Sequence, residues 1–166
     1  MKLTMRIRNA EATDRDELRR IYAYAREQMA ANGNANQWIG GYPSDELIDE
    51  DIARRRSYVC EADDGHTAGV FSWWVGKEPT YAKIEDGQWL DDAPYGVIHR
   101  IASDDSVHGV LNGCLQWCAE RHPNIRIDTH RDNHVMQHLL QKLGFTYCGI
   151  IHTGNGTPRL AYQKRE

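Results

Sequence analysis

Residues 125–145 read IRIDTHRDNHVMQHLLQKLGF and combine a strand pattern with a helix pattern. Apolar and polar residues alternate strictly from Ile125 to Thr129, which predicts a strand. Asp132 or Asn133 stands where a side chain can cap the following helix. The core face of that helix has apolar residues at helical spacing, namely Val135, Met136, Leu139, Leu140 and Leu143. Gly144 ends the helix, because glycine readily adopts the left-handed conformation common at helix ends.

The preceding segment shows the same order of elements. Tyr95–Ser103 predicts a strand, and Asp104-Asp105-Ser106 leads into a helix whose apolar residues include Cys114 and Cys118. His122-Pro123 ends this helix, because a residue before proline avoids helical geometry. In a β-α-β-α order the helix returns the chain to the same end of the sheet, so the two strands pair in parallel.

Two helices are predicted in the first third of the chain, after a short strand over Met5–Arg8. The first runs from about Asp14 to Met29, with Thr13 as its N-cap. Ala30–Pro43 is rich in glycine and asparagine and predicts a loop. Ser44 then caps the second helix.

Two hairpins account for most of the remaining sequence. Ser57–Ala62 and Thr67–Gly76 predict the first, joined by a glycine-containing turn. Lys77–Pro94 has no clear period and is acidic, so it predicts a long connection. Phe145–Ile151 and Pro158–Gln163 predict a closing antiparallel hairpin. We therefore expect residues 1–166 to form a single mixed α/β domain.

Composition excludes several functional classes. The chain has 166 residues, of which 40% are apolar and 27% charged, as in a soluble globular domain. No apolar stretch approaches the roughly 20 residues that span a bilayer. The net charge of −4, with scattered basic residues, disfavours nucleic-acid binding. Met1–Thr4 carry no secretory signal, so we expect a cytoplasmic protein whose four cysteines are reduced.

Two segments of the chain resemble those of the GNAT N-acetyltransferases. In that family an apolar-Ala-apolar strand end precedes the pattern Arg/Gln-x-x-Gly-x-Gly/Ala, which begins a helix. Here the strand end is Ile101-Ala102-Ser103, and the three marked positions hold His108, Leu111 and Gly113, with Gly109 between them.

The second family segment reads Asn-x-x-Ala-x-x-Leu-Tyr-x-x-x-Gly-Phe. This chain matches it in register at Asn133, Leu139, Gly144 and Phe145. Met136 replaces the family's alanine, and Leu140 replaces its tyrosine. Both segments occur at the expected separation within the expected order of elements.

The resemblance implies a mostly antiparallel central sheet with one parallel pair between its fourth and fifth strands, flanked by about four helices. It also implies acetyl-CoA as co-substrate, no metal, and a primary amine of a small molecule or peptide as acceptor. The pantetheine arm would hydrogen-bond to the main chain of Ile101, Ala102 and Ser103. The pyrophosphate would lie at the helix start, and the cofactor-binding residues there would be His108, Gly109, Val110, Leu111, Asn112 and Gly113, together with Asn133.

Departures from the family pattern bear on binding and catalysis. His108 replaces a permanent cation by a titratable one, so we expect weaker, pH-dependent diphosphate binding. His99 is the candidate base or water-holding residue for direct attack by the amine, and a hydrogen-bonded core histidine is the alternative interpretation. Because the family's tyrosine donor is missing, water, His130 or Tyr147 could protonate the departing thiolate.

The acceptor pocket is expected between the first helical region and the first hairpin, as in similar enzymes. Trp38, Tyr42, Trp73 and Trp74 are candidates to line it, although Trp73 and Trp74 point to opposite faces of a strand, so one of the two belongs to the core. His130, His134 and His138 are spaced by four, but they lack the glutamate of a zinc motif, so we expect no metal. Two other functions remain open: a CoA-binding or regulatory module without catalysis, and a metal hydrolase. The resemblance also allows a homodimer.

Overall fold

The computed structural model describes residues 5–165, so the expectation about Met1–Thr4 concerns residues outside this range. The described chain contains seven strands and four α-helices. In chain order they are β1 Arg6–Asn9, α1 Arg15–Ala31, α2 Asp45–Ala53, β2 Ser57–Glu61, β3 Thr67–Val75, β4 Gly96–Ser103, α3 Val110–Arg121, β5 Asn124–Thr129, α4 His134–Lys142, β6 Thr146–His152 and β7 Pro158–Arg165.

One twisted sheet contains all seven strands in the order β1-β2-β3-β4-β5-β7-β6. Each neighbouring pair is antiparallel except β4 and β5, which are parallel. This confirms the predicted mixed α/β fold and its single parallel pair. The parallel pair follows from α3, which carries the chain from the end of β4 back to the start of β5.

Apolar side chains cover both faces of the sheet. On one face Ile98, Ile125 and Ile127 pack with the buried sides of α3 and α4, and Leu140 is fully buried there. On the other face Val59, Val70 and Ala102 pack against the apolar stripes of α1 and α2. Each helix thus buries one stripe against the sheet, which is the arrangement expected of amphipathic helices.

Several helix ends agree with the sequence, and one does not. The Ser44 side chain accepts a hydrogen bond from the N–H of Leu47 at 3.2 Å, and Asn133 caps α4 through the N–H of Met136 at 3.0 Å. The prediction of Thr13 as a cap is wrong, because residues 12–14 form a 3-10 helix before α1. The α1 helix has no side-chain cap, and the Asp14 carboxylate instead accepts from the N–H of Glu11 at 2.7 Å, at the start of the 3-10 helix.

The long connection between β3 and β4 is more ordered than its sequence predicts. Pro79–Tyr81 forms a 3-10 turn, and Glu85 and Ile150 exchange two backbone hydrogen bonds of 2.8 Å. The ring of Trp89 lies under the guanidinium of Arg126, 4.2 Å from ring centroid to Cζ. These contacts hold the connection against β5 and β6, and near its start the Tyr95 hydroxyl accepts a hydrogen bond from the N–H of Glu78 at 3.0 Å.

Candidate active site

A gap opens in the sheet between β4 and β5. These strands pair at only two positions, Gly96 with Ile125 and Val97 with Arg126. Beyond Val97, β4 continues along β3 and β5 continues along β7. The edge of β4 that faces β5 therefore has no strand beside it from Ile98 onward in the described chain, so its backbone groups can pair with an extended ligand.

A β-bulge in β4 sets which side chains face this gap. Arg100 and Ile101 together lie opposite Phe71 of β3, and Arg100 has a φ of 50°. The extra residue brings Arg100 onto the same face as His99 and Ala102. Strict alternation along the strand would predict that His99 points away from Arg100 and Ala102, and this expectation is wrong because alternation fails at the bulge.

Asp51 of α2 holds the Arg100 side chain in place. Its carboxylate accepts hydrogen bonds from the Nε and Nη2 atoms of Arg100 at 2.8 and 2.9 Å, and a third from the Ser72 hydroxyl at 2.8 Å. Both members of the ion pair are nearly buried, with side-chain exposures of 10% and 7%. This contact connects α2 to the bulge, so the position of α2 is fixed relative to the edge of β4 that borders the gap.

A cavity of about 510 Å³ occupies the gap and the space beside it. Ile98 and Ile101 line it from one face of β4, while His99 and Arg100 line it from the other. The cavity therefore extends through the sheet between the diverging strands. Its remaining walls come from the loop after α1, from α2, from the start of α4 and from the turn between β6 and β7, and include Gln37, Trp38, Tyr42, Glu50, Asn133, Met136 and Asn155.

His99 lies between two carboxylates in this cavity. Its Nε2 atom is 3.6 Å from Glu78 Oε1, and its Nδ1 atom is 3.7 Å from Asp128 Oδ2. The Tyr81 hydroxyl donates to the same Asp128 oxygen at 2.6 Å. The rings of Trp74 and Tyr81 flank the imidazole, with centroid distances of 5.4 and 5.8 Å.

The surroundings of His99 shift the protonation of its neighbours. Burial raises the pKa of Glu78, but hydrogen bonding and charge from His99 outweigh it, so the pKa of this carboxyl is lowered overall. Burial, followed by the charge of Asp128, raises the pKa of Tyr81 well above its ordinary value. At neutral pH Glu78 is therefore a carboxylate and Tyr81 a neutral hydrogen-bond donor.

The cavity brings together six of the side chains that the sequence suggested. They are His99, Ile101, Asn133, Trp38, Tyr42 and Trp74. Trp38 and Tyr42 pack edge to face with a centroid distance of 6.1 Å, and the Tyr42 hydroxyl accepts from Arg100 at 3.2 Å. The suggested base, part of the cofactor site and part of the acceptor pocket therefore share one space.

Three other suggested residues lie away from the cavity. Trp73 is buried in the core against Gly96, where a Cβ atom would come within 2.2 Å of its ring, and Trp74 lines the cavity instead. His130 is 6% exposed, and its Nδ1 accepts from the N–H of Asp132 at 3.0 Å. Burial and the nearby Arg159 lower the pKa of His130, so it is neutral at pH 7. Tyr147 is an exposed residue of edge strand β6.

The suggested phosphate loop lies beyond the cavity at the start of α3. Gly109 has a φ of 82° and directly precedes the helix, and its carbonyl accepts the first helical hydrogen bond, from Gly113 at 2.9 Å. Val110 points into the core, where it contacts Gly69. Of the strand-end residues, Ala102 is packed against α1 and α2, and Ser103 Oγ accepts from the N–H of Asp105 at 3.0 Å.

The sequence pattern did not reveal Asp128 or Tyr81 as site residues. It marked Glu78 only as part of an acidic stretch, which could attract a cationic amine but more often is a solvated surface. For Asp128 the sequence contains one usable signal. It is a polar residue on a face of β5 that packs against a neighbouring element, and such a residue is a candidate for a site. Among residues 5–165, no group of three or more His, Cys, Asp or Glu side chains is placed to hold a metal ion. None of the helices in that range is long and apolar enough to cross a membrane.

The fold and the site can be compared with known proteins. The sequence matches no protein-family model and no curated protein at a significant level. Among solved structures, a GNAT-family acetyltransferase from Streptococcus agalactiae 2603 is 35% identical with a TM-score of 0.88, and the match covers 99% of each chain. A GNAT-family acetyltransferase from Listeria monocytogenes 4b F2365 is 20% identical with a TM-score of 0.74, over 99% of this chain and 96% of that one.

Proposed function

Because the chain belongs to the GNAT family of acetyltransferases, we propose that it transfers the acetyl group of acetyl-CoA to a primary amine by direct attack. The acceptor is a small molecule or a peptide. The observation that carries the proposal is the gap between β4 and β5, which opens onto a cavity with His99 between two carboxylates. A cofactor can thus approach through the sheet while an amine approaches from the side of α1 and α2.

The edge of β4 beyond Val97 fits the pantetheine arm. An extended chain with amide groups can pair with the backbone of Ile98 to Ser103 in the way that a neighbouring strand would. The left-handed conformation of Arg100 interrupts the regular ladder there. It leaves a backbone N–H of the bulge available to polarise a thioester carbonyl, which is the electrostatic assistance that acyl transfer needs.

The start of α3 fits the pyrophosphate. The N–H groups of Val110, Leu111 and Asn112 precede the first helical hydrogen bond, and the helix dipole places partial positive charge at the same end. Gly109 lets the chain turn into the helix without a side chain above these groups. His108 is exposed beside them and supplies a charge only when protonated. We expect His108→Arg, which supplies a permanent positive charge at this position, to strengthen acetyl-CoA binding.

His99 is the proposed base. Acetyl-CoA supplies an activated acetyl group; the amine nitrogen forms the new bond to its carbonyl carbon while the bond from that carbon to sulfur breaks. His99 accepts the proton that the amine loses, and Glu78 and Asp128 stabilise the resulting positive charge. Tyr81 is a positioning residue, because its hydrogen bond holds the carboxylate that faces His99 Nδ1.

Water is the favoured proton source for the departing thiolate. His130 and Tyr147 do not line the cavity, and Leu140, at the position of the family's tyrosine, is fully buried in the core. A CoA thiolate is a fair leaving group near neutral pH, because thiols ionise close to that range. Loss of the tyrosine donor is therefore compatible with turnover.

The experiment that tests the proposal follows free thiol while the protein, acetyl-CoA and a library of primary amines are mixed. We expect saturable acetyl-CoA binding by calorimetry and thiol release that depends on an amine. Binding without thiol release for any amine would instead support the non-catalytic CoA-binding module. Absence of saturable acetyl-CoA binding would contradict both functions.

A further inference from the structure

Arg159 lies in the wall of the cavity, at the second position of β7. It is only 7% exposed. Its guanidinium donates to two neutral acceptors, the Pro158 carbonyl at 3.0 Å and the Gln37 carbonyl at 2.8 Å. The second hydrogen bond crosses from β7 to the loop after α1, so it fixes the guanidinium at the boundary of the acceptor side of the cavity.

In the described chain Arg159 forms no ion pair, although the charge of the more distant Asp128 partly offsets the effect of burial on the pKa of Arg159. Ion pairs join nitrogen and oxygen atoms that are at most 4.0 Å apart, and within residues 5–165 no carboxylate oxygen lies that close to a nitrogen atom of Arg159. The three other cavity arginines differ: Arg100 is paired with Asp51, Arg54 is paired with Glu50, and the partly exposed Arg56 lies over the ring of Trp74 at 4.4 Å. Burial lowers the pKa of Arg159, which shows that removal from water disfavours its charge. Buried charges are ordinarily paired, so this one is suited to a ligand's anion.

Two carboxylates of the same cavity carry negative charge that is not paired with a lysine or an arginine of residues 5–165. Glu78 and Asp128 face His99, and across the described chain neither forms an ion pair with a lysine or arginine. The cavity therefore contains one unpaired buried guanidinium and, around the proposed base, two carboxylates that can attract an ammonium group. A ligand with both charges would satisfy both ends, whereas a polyamine would meet repulsion at Arg159.

From this distribution of charge we infer that the acceptor belongs to the amino acid class, a small molecule that carries a carboxylate as well as its primary amine. Arg159 binds the carboxylate, because its planar guanidinium donates in a geometry that matches two oxygens. Glu78 and Asp128 attract the ammonium group and place it beside His99. The inference rests on the proposed function and narrows its acceptor.

The test compares each common L-amino acid with its carboxamide and with its decarboxylated amine, using thiol release from acetyl-CoA. The wild-type protein should acetylate at least one amino acid with kcat/KM about 10- to 100-fold above that for its carboxamide, the usual loss when a charged hydrogen bond is removed. Arg159→Gln should reduce that ratio to near one and leave the KM for acetyl-CoA unchanged. Arg159→Lys keeps the positive charge but not the planar pair of hydrogen-bond donors, so it should retain part of the ratio.

Two controls make the result specific. Arg54→Gln removes the same charge from the same cavity but from a guanidinium that is already paired, so it should leave the ratio unchanged. Thermal unfolding of Arg159→Gln reports whether the loop contact with Gln37 is needed for stability, and Arg159→Lys provides the comparison if it is. Equal kcat/KM for acid and carboxamide in the wild-type protein would overturn the inference while the acetyltransferase proposal stands. If no amine releases thiol, the proposed function itself fails.

Discussion

Replacing Asp51 by alanine tests how the bulge in β4 is held. Asp51 is 5% exposed and accepts two hydrogen bonds from Arg100 and one from Ser72. Removal of the carboxylate leaves the guanidinium of Arg100, itself 10% exposed, without a counter-charge. Breaking a buried ion pair in this way costs about 3–5 kcal/mol. At about 2–4 °C per kcal/mol for a domain of this size, the melting temperature should fall by roughly 6–20 °C.

The assay is urea unfolding at neutral pH, followed by far-UV circular dichroism. The matched control is Glu50→Ala, the preceding residue of the same helix. Glu50 pairs with Arg54 at 2.9 Å, but both side chains are half exposed, so the loss should stay below about 1 kcal/mol. The double variant Asp51→Leu with Arg100→Met should recover much of the stability, because apolar residues can replace a buried ion pair at little cost. Equal losses for Asp51→Ala and Glu50→Ala would refute the reasoning.

Three further predictions concern the loop, the core and the cysteines. Gly109→Ala should destabilise the protein by about 1–2 kcal/mol and weaken acetyl-CoA binding in calorimetry, because a residue in the left-handed conformation tolerates a Cβ atom poorly. The control is Gly154→Ala, where an added Cβ atom meets nothing within 4 Å and no positive φ is required, so neither stability nor binding should change. Gln163→Leu should lower the free energy of unfolding in urea by about 1–3 kcal/mol, since Gln163 is fully buried and donates to Asn124 at 2.6 Å. A loss no larger than that of a substitution at an exposed position would count against this prediction. A thiol-specific disulfide reagent should label the native protein slowly and all four cysteines in urea, because all four are buried and burial raises the pKa of three of them; rapid native labelling would contradict this assignment.

The order of elements and their pairing could be predicted because the responsible signals are local. Alternation in residues 125–129, the cap at Asn133 and the stop at Gly144 each depend on a few neighbouring residues, and the structure contains all three. The parallel pair follows from the β-α-β-α order by chain geometry. Local preference and final fold therefore agree across most of the chain.

The composition of the site depended on contacts between distant residues, which the sequence pattern does not encode. The bulge at Arg100 requires a non-glycine residue at positive φ, which Asp51 and Tyr42 hold through contacts from two other segments. Alternation showed that Trp73 and Trp74 face opposite sides but could not show which one meets the cavity. Glu78 is a charged residue in an acidic stretch, as is typical of a protein surface, and only the path of the connection brings it beside His99.

The central claim is that a primary amine is acetylated in the cavity around His99. The most direct measurement compares the wild-type protein with His99→Ala, using mass spectrometry of the acetylated amine together with calorimetric affinity for acetyl-CoA and thermal unfolding. We predict that the variant loses about 100- to 10,000-fold in kcat, the usual contribution of a general base, while acetyl-CoA affinity stays unchanged and the protein remains folded at the assay temperature. Wild-type rates of product formation by a folded His99→Ala variant would contradict the account.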